Sequence, residues 1–252
     1  MNIGIVPARL HSKRLPKKIL ANIHGKPLIA HTMEKVLMAN KLDRVLLAID
    51  SEETKRALKT FDFETIMTSD QHISGTDRIA EVARKIEGAR TIINIQGDEP
   101  LIDPGIIDNL VDLFDDENVE IASIVSNTLK VADLLNPNIV KALIDENKNA
   151  IEFKRNVSDL EIAGLYKHIG IYGYRPKTLL KFTRLKPSKR EISEKLEQLR
   201  ALDNNITIKM LISSCDSLAV DTKTDLMLGL NTNSDILKAD PQFEFSIFKT
   251  SI

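Results

Sequence analysis

IGIVPARLHSKRLPKK (residues 3–18) is a short β-branched run that passes directly into a loop rich in arginine and lysine. A run of this kind with no polar alternation suits a strand buried on both faces, as in a parallel sheet. Similar runs recur at Arg44–Ile49 and 91–95. Between them lie longer segments whose apolar residues repeat at three- and four-residue spacing, as at Ile79, Val82, Ala83 and Ile86. That spacing predicts helices over 27–39, 52–59, 76–86 and 104–114, with Pro27 and Pro104 in first-turn positions. Strands alternating with helices predict an α/β fold, with a mostly parallel central sheet flanked by helices in three Rossmann-like layers.

Past residue 127 the pattern loosens. Strands are expected at 139–144 and 168–174, one helix over 192–202 with Ile192, Leu196 and Leu199 on its apolar face, and a closing helix over 222–237. The 252 residues read as a single domain, in which 128–205 forms a smaller lobe for substrate binding and dimerisation.

Composition excludes several classes. Lys plus Arg total 35 against 36 for Asp plus Glu, so the net charge of −1 gives no general attraction to nucleic acid or anionic membrane. The basic residues form one loop without interleaved aromatics, and the chain has no tryptophan, which also opposes nucleic-acid binding. No segment approaches the roughly 20 apolar residues of a membrane span, and the apolar start is too short for a signal peptide. The single cysteine, Cys215, rules out an internal disulfide framework and fits a reducing compartment. A cytoplasmic protein without membrane or nucleic-acid partners is expected.

In a parallel sheet joined by helices, ligands sit at the carboxyl ends of the strands. Three segments fall there: PARLHSKRLPKK (7–18), DSEE (50–53) and QGDEP (96–100). Five of the twelve residues in the first are basic, a mixture that suits a triphosphate, although a solvated basic loop has the same composition. The chain has neither GxxxxGK[ST] nor GxGxxG, so a phosphate would need another kind of cradle. Asp98 and Glu99 in the third segment offer hard oxygen ligands for Mg²⁺, or serve only to complement a helix dipole. SGTDR (74–78) and AVDT (219–222) each open a predicted helix, where a plain N-cap competes with a ligand-binding role.

Seven motifs occur in order: PAR-x4-RLP-x-K-x-L at 7–20, GKP at 25–27, SGTDR at 74–78, QGDEP at 96–100, HIGIYGY at 168–174, LEQLR at 196–200 and VDT at 220–222. Together they resemble the 3-deoxy-manno-octulosonate (Kdo) cytidylyltransferases over nearly the whole chain. The resemblance implies a nucleotidyltransferase fold, a homodimer, and activation of a sugar acid by CTP for lipopolysaccharide synthesis. It also implies site residues. Ala8, Arg9, Arg14, Lys18, Ser74, Arg78 and Asp98 would bind the nucleotide, with Arg9, Arg14, Lys18 and Asp98 catalytic. Asp98 and Asp221 would hold Mg²⁺, and Gln96, Arg155, His168, Tyr172, Glu197 and Gln198 would line the sugar-acid pocket, Arg155 facing the carboxylate.

One segment departs from the family pattern. Where the family reads S-R-A-x-I-P, this chain has Lys154-Arg155-Asn156-Val157, and its link to the histidine strand is short. The departure motivates an alternative substrate, an 8-amino octulosonate or a nonulosonate. A catalytically silent nucleotide-binding protein and a glycosyltransferase are the other readings, and the paired aspartates and the SGTDR motif oppose them.

Overall fold

The computed structural model describes residues 1–12, 15–157, 164–215 and 219–220. Strand β1 (Asn2–Ala8) alternates its side chains cleanly, sending Ile3 and Ile5 to one face and Val6 and Ala8 to the other, all fully buried. A tight hairpin of β2 (Asn22–Ile23) and β3 (Lys26–Pro27) turns through His24 and Gly25, both at positive φ. It leads into α1 (Leu28–Val36), whose N-cap is Pro27. Next come β4 (Arg44–Ile49), α2 (Glu52–Ala57), β5 (Thr65–Met67), α3 (Gly75–Ala83), β6 (Thr91–Asn94) and α4 (Pro104–Asp112). Pro104 sits in the first turn of α4, where its missing N–H has no helical partner to lose.

The second half supplies β7 (Ile121–Ser126), α5 (Val131–Leu134), β8 (Lys141–Ile144), β9 (Ala150–Lys154), β10 (Leu165–Tyr174), α6 (Pro176–Phe182), α7 (Lys189–Glu194), α8 (Leu199–Asp203) and β11 (Ile208–Ser213). The strands order as β11-β7-β10-β6-β1-β4-β5, and every strand on this path runs parallel to the rest except β10. The α/β class with a mostly parallel sheet is therefore what the chain forms. One face of the sheet packs its core against α1 and α4, the other against α3, α6 and α8, giving three layers. Segment 128–205 gives the sheet its antiparallel member β10 and extends β8 and β9 from it as an antiparallel arm.

One expected element breaks in two. Residues 192–202 are not one helix: α7 ends at Glu194, its C-cap Lys195 adopts a left-handed conformation (φ 56°), and α8 begins at Leu199. Leu196 and Leu199 are buried as their spacing predicts, but Ile192 is 66% exposed. Ser188 and Glu191 form a capping box that fixes α7 in its own direction, so the apolar repeat does not belong to one axis. The closing helix expected over 222–237 lies outside the described residues. Among the described residues no helix is long and apolar enough to cross a membrane.

Candidate active site

β1, β4 and β6 end side by side, and the loops that follow β1, β5 and β6 enclose a cavity of about 220 Å³. Arg9, Lys18, Ser74, Arg78, Gln96 and Asp98 line it, so six of the residues singled out from sequence come together although the chain separates them by up to 89 positions. Ala8 closes β1 beneath them and is buried. Arg14 and Asp221 lie outside the described residues. Val220, the residue before Asp221, packs with Ile23 and Leu28 and donates its N–H to Asp98 O at 2.8 Å.

Gly97 allows the turn between Gln96 and Asp98 to lie against β1. A Cβ there would stand 2.9 Å from Ile29 Cδ1 and 3.1 Å from Pro7 O, and Thr32 of α1 clamps the turn by donating to Gly97 O at 3.1 Å. The turn thereby presents Asp98 to Lys18, whose Nζ donates to Asp98 Oδ2 at 2.5 Å. Both side chains are partly shielded, 11% and 22% exposed, which strengthens their attraction relative to a surface pair. Of the two adjacent carboxylates in this segment, only Asp98 faces the cavity; Glu99 is buried at 4% exposure.

Arg78 holds the frame of this wall. It is 2% exposed and donates to Asp50 Oδ2 (2.9 Å), Thr68 Oγ1 (2.5 Å) and Ser69 O (3.2 Å). Asp50 in turn accepts from Leu10 N–H at 2.9 Å, so one buried ion pair joins the basic loop, the end of β4 and α3. Ser74 is the N-cap of α3, accepting from Asp77 N–H at 3.1 Å, and Gly75 follows it at the cavity edge. That helix start directs free backbone N–H groups and the positive end of its dipole at the cavity.

A second, neutral group of side chains stands on β10; of the expected sugar-pocket residues only Gln96 lines the cavity itself. Gln96 connects the two, its Nε2 donating to Gly170 O at 3.4 Å. His168, Tyr172 and Tyr174 form a continuous aromatic ladder with centroid separations of 5.5 and 6.0 Å. Burial lowers the His168 pKa to about 3 and pushes Tyr172 and Tyr174 well above their ordinary value, so all three stay uncharged near neutral pH. Glu197, between α7 and α8, accepts from Thr76 Oγ1 at 2.5 Å, with Arg200 3.8 Å away. Burial raises the Glu197 pKa, and the bonds from Thr76 and Ser74 and the Arg200 charge oppose that rise. Gln198, half-buried, is the N-cap of α8.

Arg155 is placed differently from the expectation. Its guanidinium does not line the cavity but donates to Pro137 O (3.0 Å), Glu194 O (3.1 Å) and Lys195 O (3.1 Å). Buried Lys141 donates to Arg155 O and Asn136 O, both at 2.8 Å. The two cations thus tie β8 and β9 to the α7–α8 turn, two residues before Glu197. Donors already engaged by three carbonyls leave the guanidinium without the open fork that a bound carboxylate needs.

A cytidylyltransferase family model matches residues 3–208. The 3-deoxy-manno-octulosonate cytidylyltransferase of Thermodesulfovibrio yellowstonii is 41% identical over 254 residues, covering 93% of this chain and 100% of its own. The chain belongs to the 3-deoxy-manno-octulosonate cytidylyltransferase family. The Geobacter metallireducens member is 40% identical across 88% of this chain and 94% of its own. A solved CMP:2-keto-3-deoxy-manno-octonic acid synthetase complexed with CTP superposes with a TM-score of 0.84 at 35% identity, covering 90% of this chain and 95% of that one.

Asp50 and Ser123 hold candidate site residues in place, Arg78 and His168 respectively, and neither stands among the residues expected from sequence. Asp50 opens the DSEE segment at a strand end, which was the available signal. Ser123 carried none, because its partners are more than 40 residues away in the chain. Among the described residues no three His, Cys, Asp or Glu side chains converge as a metal cage. Asp98 alone fits a magnesium ion that keeps most of its shell as water and phosphate oxygen, since such ions take only one or two carboxylates.

Proposed function

We propose that this cavity transfers the cytidylyl group of CTP to a 3-deoxy-octulosonate-type sugar acid, with release of pyrophosphate. The observation that carries the reading is the meeting of Arg9, Lys18, Asp98 and the α3 N-terminus around one cavity, with Gln96 reaching from its lining to the uncharged β10 ladder. The anomeric hydroxyl of the sugar attacks the α-phosphorus in line, the bond from that phosphorus to the bridging oxygen breaks, and pyrophosphate leaves with the electron pair. Arg9, Arg14 and Lys18 offset the negative charge that grows on the leaving oxygens. Backbone N–H groups at Ser74–Gly75 contribute dipoles that need no reorganisation. Asp98 and Asp221 would hold Mg²⁺, which would supply positive charge beside the phosphate oxygens and make the attacking hydroxyl more acidic. The hydrogen bond from Val220 to Asp98 O supports that pairing.

Gln96, His168, Tyr172, Glu197 and Gln198 meet the sugar hydroxyls. Pyrophosphate release in a mixture of protein, CTP, magnesium and 3-deoxy-manno-octulosonate tests the reading, with UTP and ATP alongside. CTP-dependent release that requires the sugar is expected; release from CTP without sugar dependence would overturn the substrate assignment. The engaged Arg155 favours a second reading, in which the preferred acceptor is an 8-amino octulosonate or a nonulosonate. Competition among these acids in the same assay separates the two. A homodimer belongs to the proposal, supported by the exposed apolar side chains of Val131 and Leu135 near α5 and Ile151 on β9, and light scattering of the purified chain measures it. A cytoplasmic location, supported by the single free thiol, completes it.

A further inference from the structure

Ser123 of β7 is fully buried, faces β10, and sits where the register between the two strands shifts between Ile169 and Tyr172. Its Oγ lies 2.8 Å from Ile171 O, 3.4 Å from Ile169 O and 3.0 Å from His168 Nε2. A hydroxyl has one proton to donate, and a carbonyl can only accept. If Ser123 gave its proton to the imidazole, its lone pairs would face two carbonyl oxygens with no proton between them. The 2.8 Å contact is relieved only when the proton goes to Ile171 O, and the hydroxyl then accepts from His168 Nε2–H.

We propose that Ser123 is a positioning residue that fixes His168 as its Nε2–H tautomer, so that Nδ1 meets the sugar acid as a hydrogen-bond acceptor. This rests on the reading of His168 as part of the sugar wall. Burial holds the ring neutral near pH 7, consistent with a single N–H that is already engaged. A neutral imidazole bonded in this way discriminates between substituents. It takes a hydroxyl or an ammonium, which donate, and gains nothing from a carbonyl or an ether oxygen, which cannot. The register shift accounts for the arrangement, because two nearby β10 carbonyls turn toward β7 and only a short hydroxyl side chain reaches them and the ring together.

Nitrogen NMR of the full-length protein carrying ¹⁵N-imidazole labels tests the tautomer directly, with the His168 resonances assigned as those lost in His168→Ala. In the wild type, His168 is expected to show a protonated Nε2 and an unprotonated Nδ1; the reverse pattern would overturn the proposal without any variant at position 123. Ser123→Ala is expected to mix the tautomers and raise KM for the sugar acid about tenfold, the order of one neutral hydrogen bond, leaving KM for CTP within about twofold. Ser123→Thr keeps the hydroxyl and restores the wild-type tautomer. A Ser123→Ala protein that kept both tautomer and sugar KM would defeat the proposal. A His168→Ala protein with an unchanged sugar KM would instead defeat the sugar-wall reading, whatever the NMR shows.

Discussion

The charged cavity wall and the neutral β10 wall beside it use opposite physics. The wall at the ends of β1 and β6 is built from loops, carries full charges at Arg9, Lys18 and Asp98, and is braced from behind by the buried Arg78–Asp50 pair. The β10 wall is built on a strand and a broken helix, keeps its histidine and tyrosines neutral by burial, and orders them through Ser123, Thr76 and Gln96. Charge is useful where it develops during reaction, while neutral, directional groups are useful where one hydroxyl pattern must be told from another. Damage to the first wall should therefore appear in kcat, and damage to the second in KM for one substrate.

The largest effect tests that division at its charged end. Asp98→Ala is expected to lower kcat by about 10³-fold, the scale of removing electrostatic stabilisation at a reacting centre, with folding intact by thermal denaturation. Near-wild-type turnover at saturating magnesium would break the comparison. Asp50→Ala comes next and acts on stability, because it leaves Arg78, 2% exposed, with an unmatched buried charge. A loss of about 3 kcal/mol is expected in chemical denaturation, and the partner variant Arg78→Ala should not add to it in full, as the two act as one unit.

The charged wall was the easier one to read in the sequence, and the reason is geometric. PAR-x4-RLP, SGTDR and QGDEP are contiguous stretches, each placed by a single strand end or helix start, so local pattern and final position coincide. The neutral wall depends on pairings between distant segments. β7 lies inside the sheet between β10 and the edge strand β11, yet its run of Ile121-Ala122-Ser123-Ile124-Val125-Ser126 interrupts apolar residues with two serines and gives no clear strand signal. Both serines are fully buried, bonded to β10 and to Thr128. The α7–α8 break shows the same limit, since Leu196 and Leu199 keep a helical spacing that the backbone at Lys195 abandons. Arg155 was recognisable as an arginine at the right place in the order of motifs, but nothing local tells that three backbone carbonyls take up its donors.

A smaller effect sharpens the neutral end through pH. The His168 pKa falls from 6.5 to about 3 on folding, so between those values the unfolded chain binds a proton that the folded chain refuses. Stability is therefore lost as pH falls from 6.5 toward 3, at up to about 1.4 kcal/mol per pH unit from this one group. Glu197 acts in the opposite sense: its raised pKa favours folding at low pH, and that contribution is lost as pH rises through its folded value. His168→Gln keeps a neutral polar side chain and should flatten the acid limb of a denaturation series. An unchanged limb would mean that the ring is hydrated rather than buried.

The smallest expected effect has the most specific sign. Among the described residues the buried Tyr172 hydroxyl has no partner in good hydrogen-bond geometry; the Ser123 hydroxyl beside it opposes the rise in the Tyr172 pKa only weakly and is already shared between Ile171 O and His168. A buried polar group without a partner costs the folded state about 1 kcal/mol or more, so Tyr172→Phe should stabilise the protein by roughly that amount. If the hydroxyl is kept for the sugar acid, the same variant should raise KM for that acid by several-fold and leave KM for CTP unchanged. A gain in stability paired with a loss in one substrate's affinity distinguishes a group held ready for a ligand from a packing residue, which would lose stability and affect neither KM.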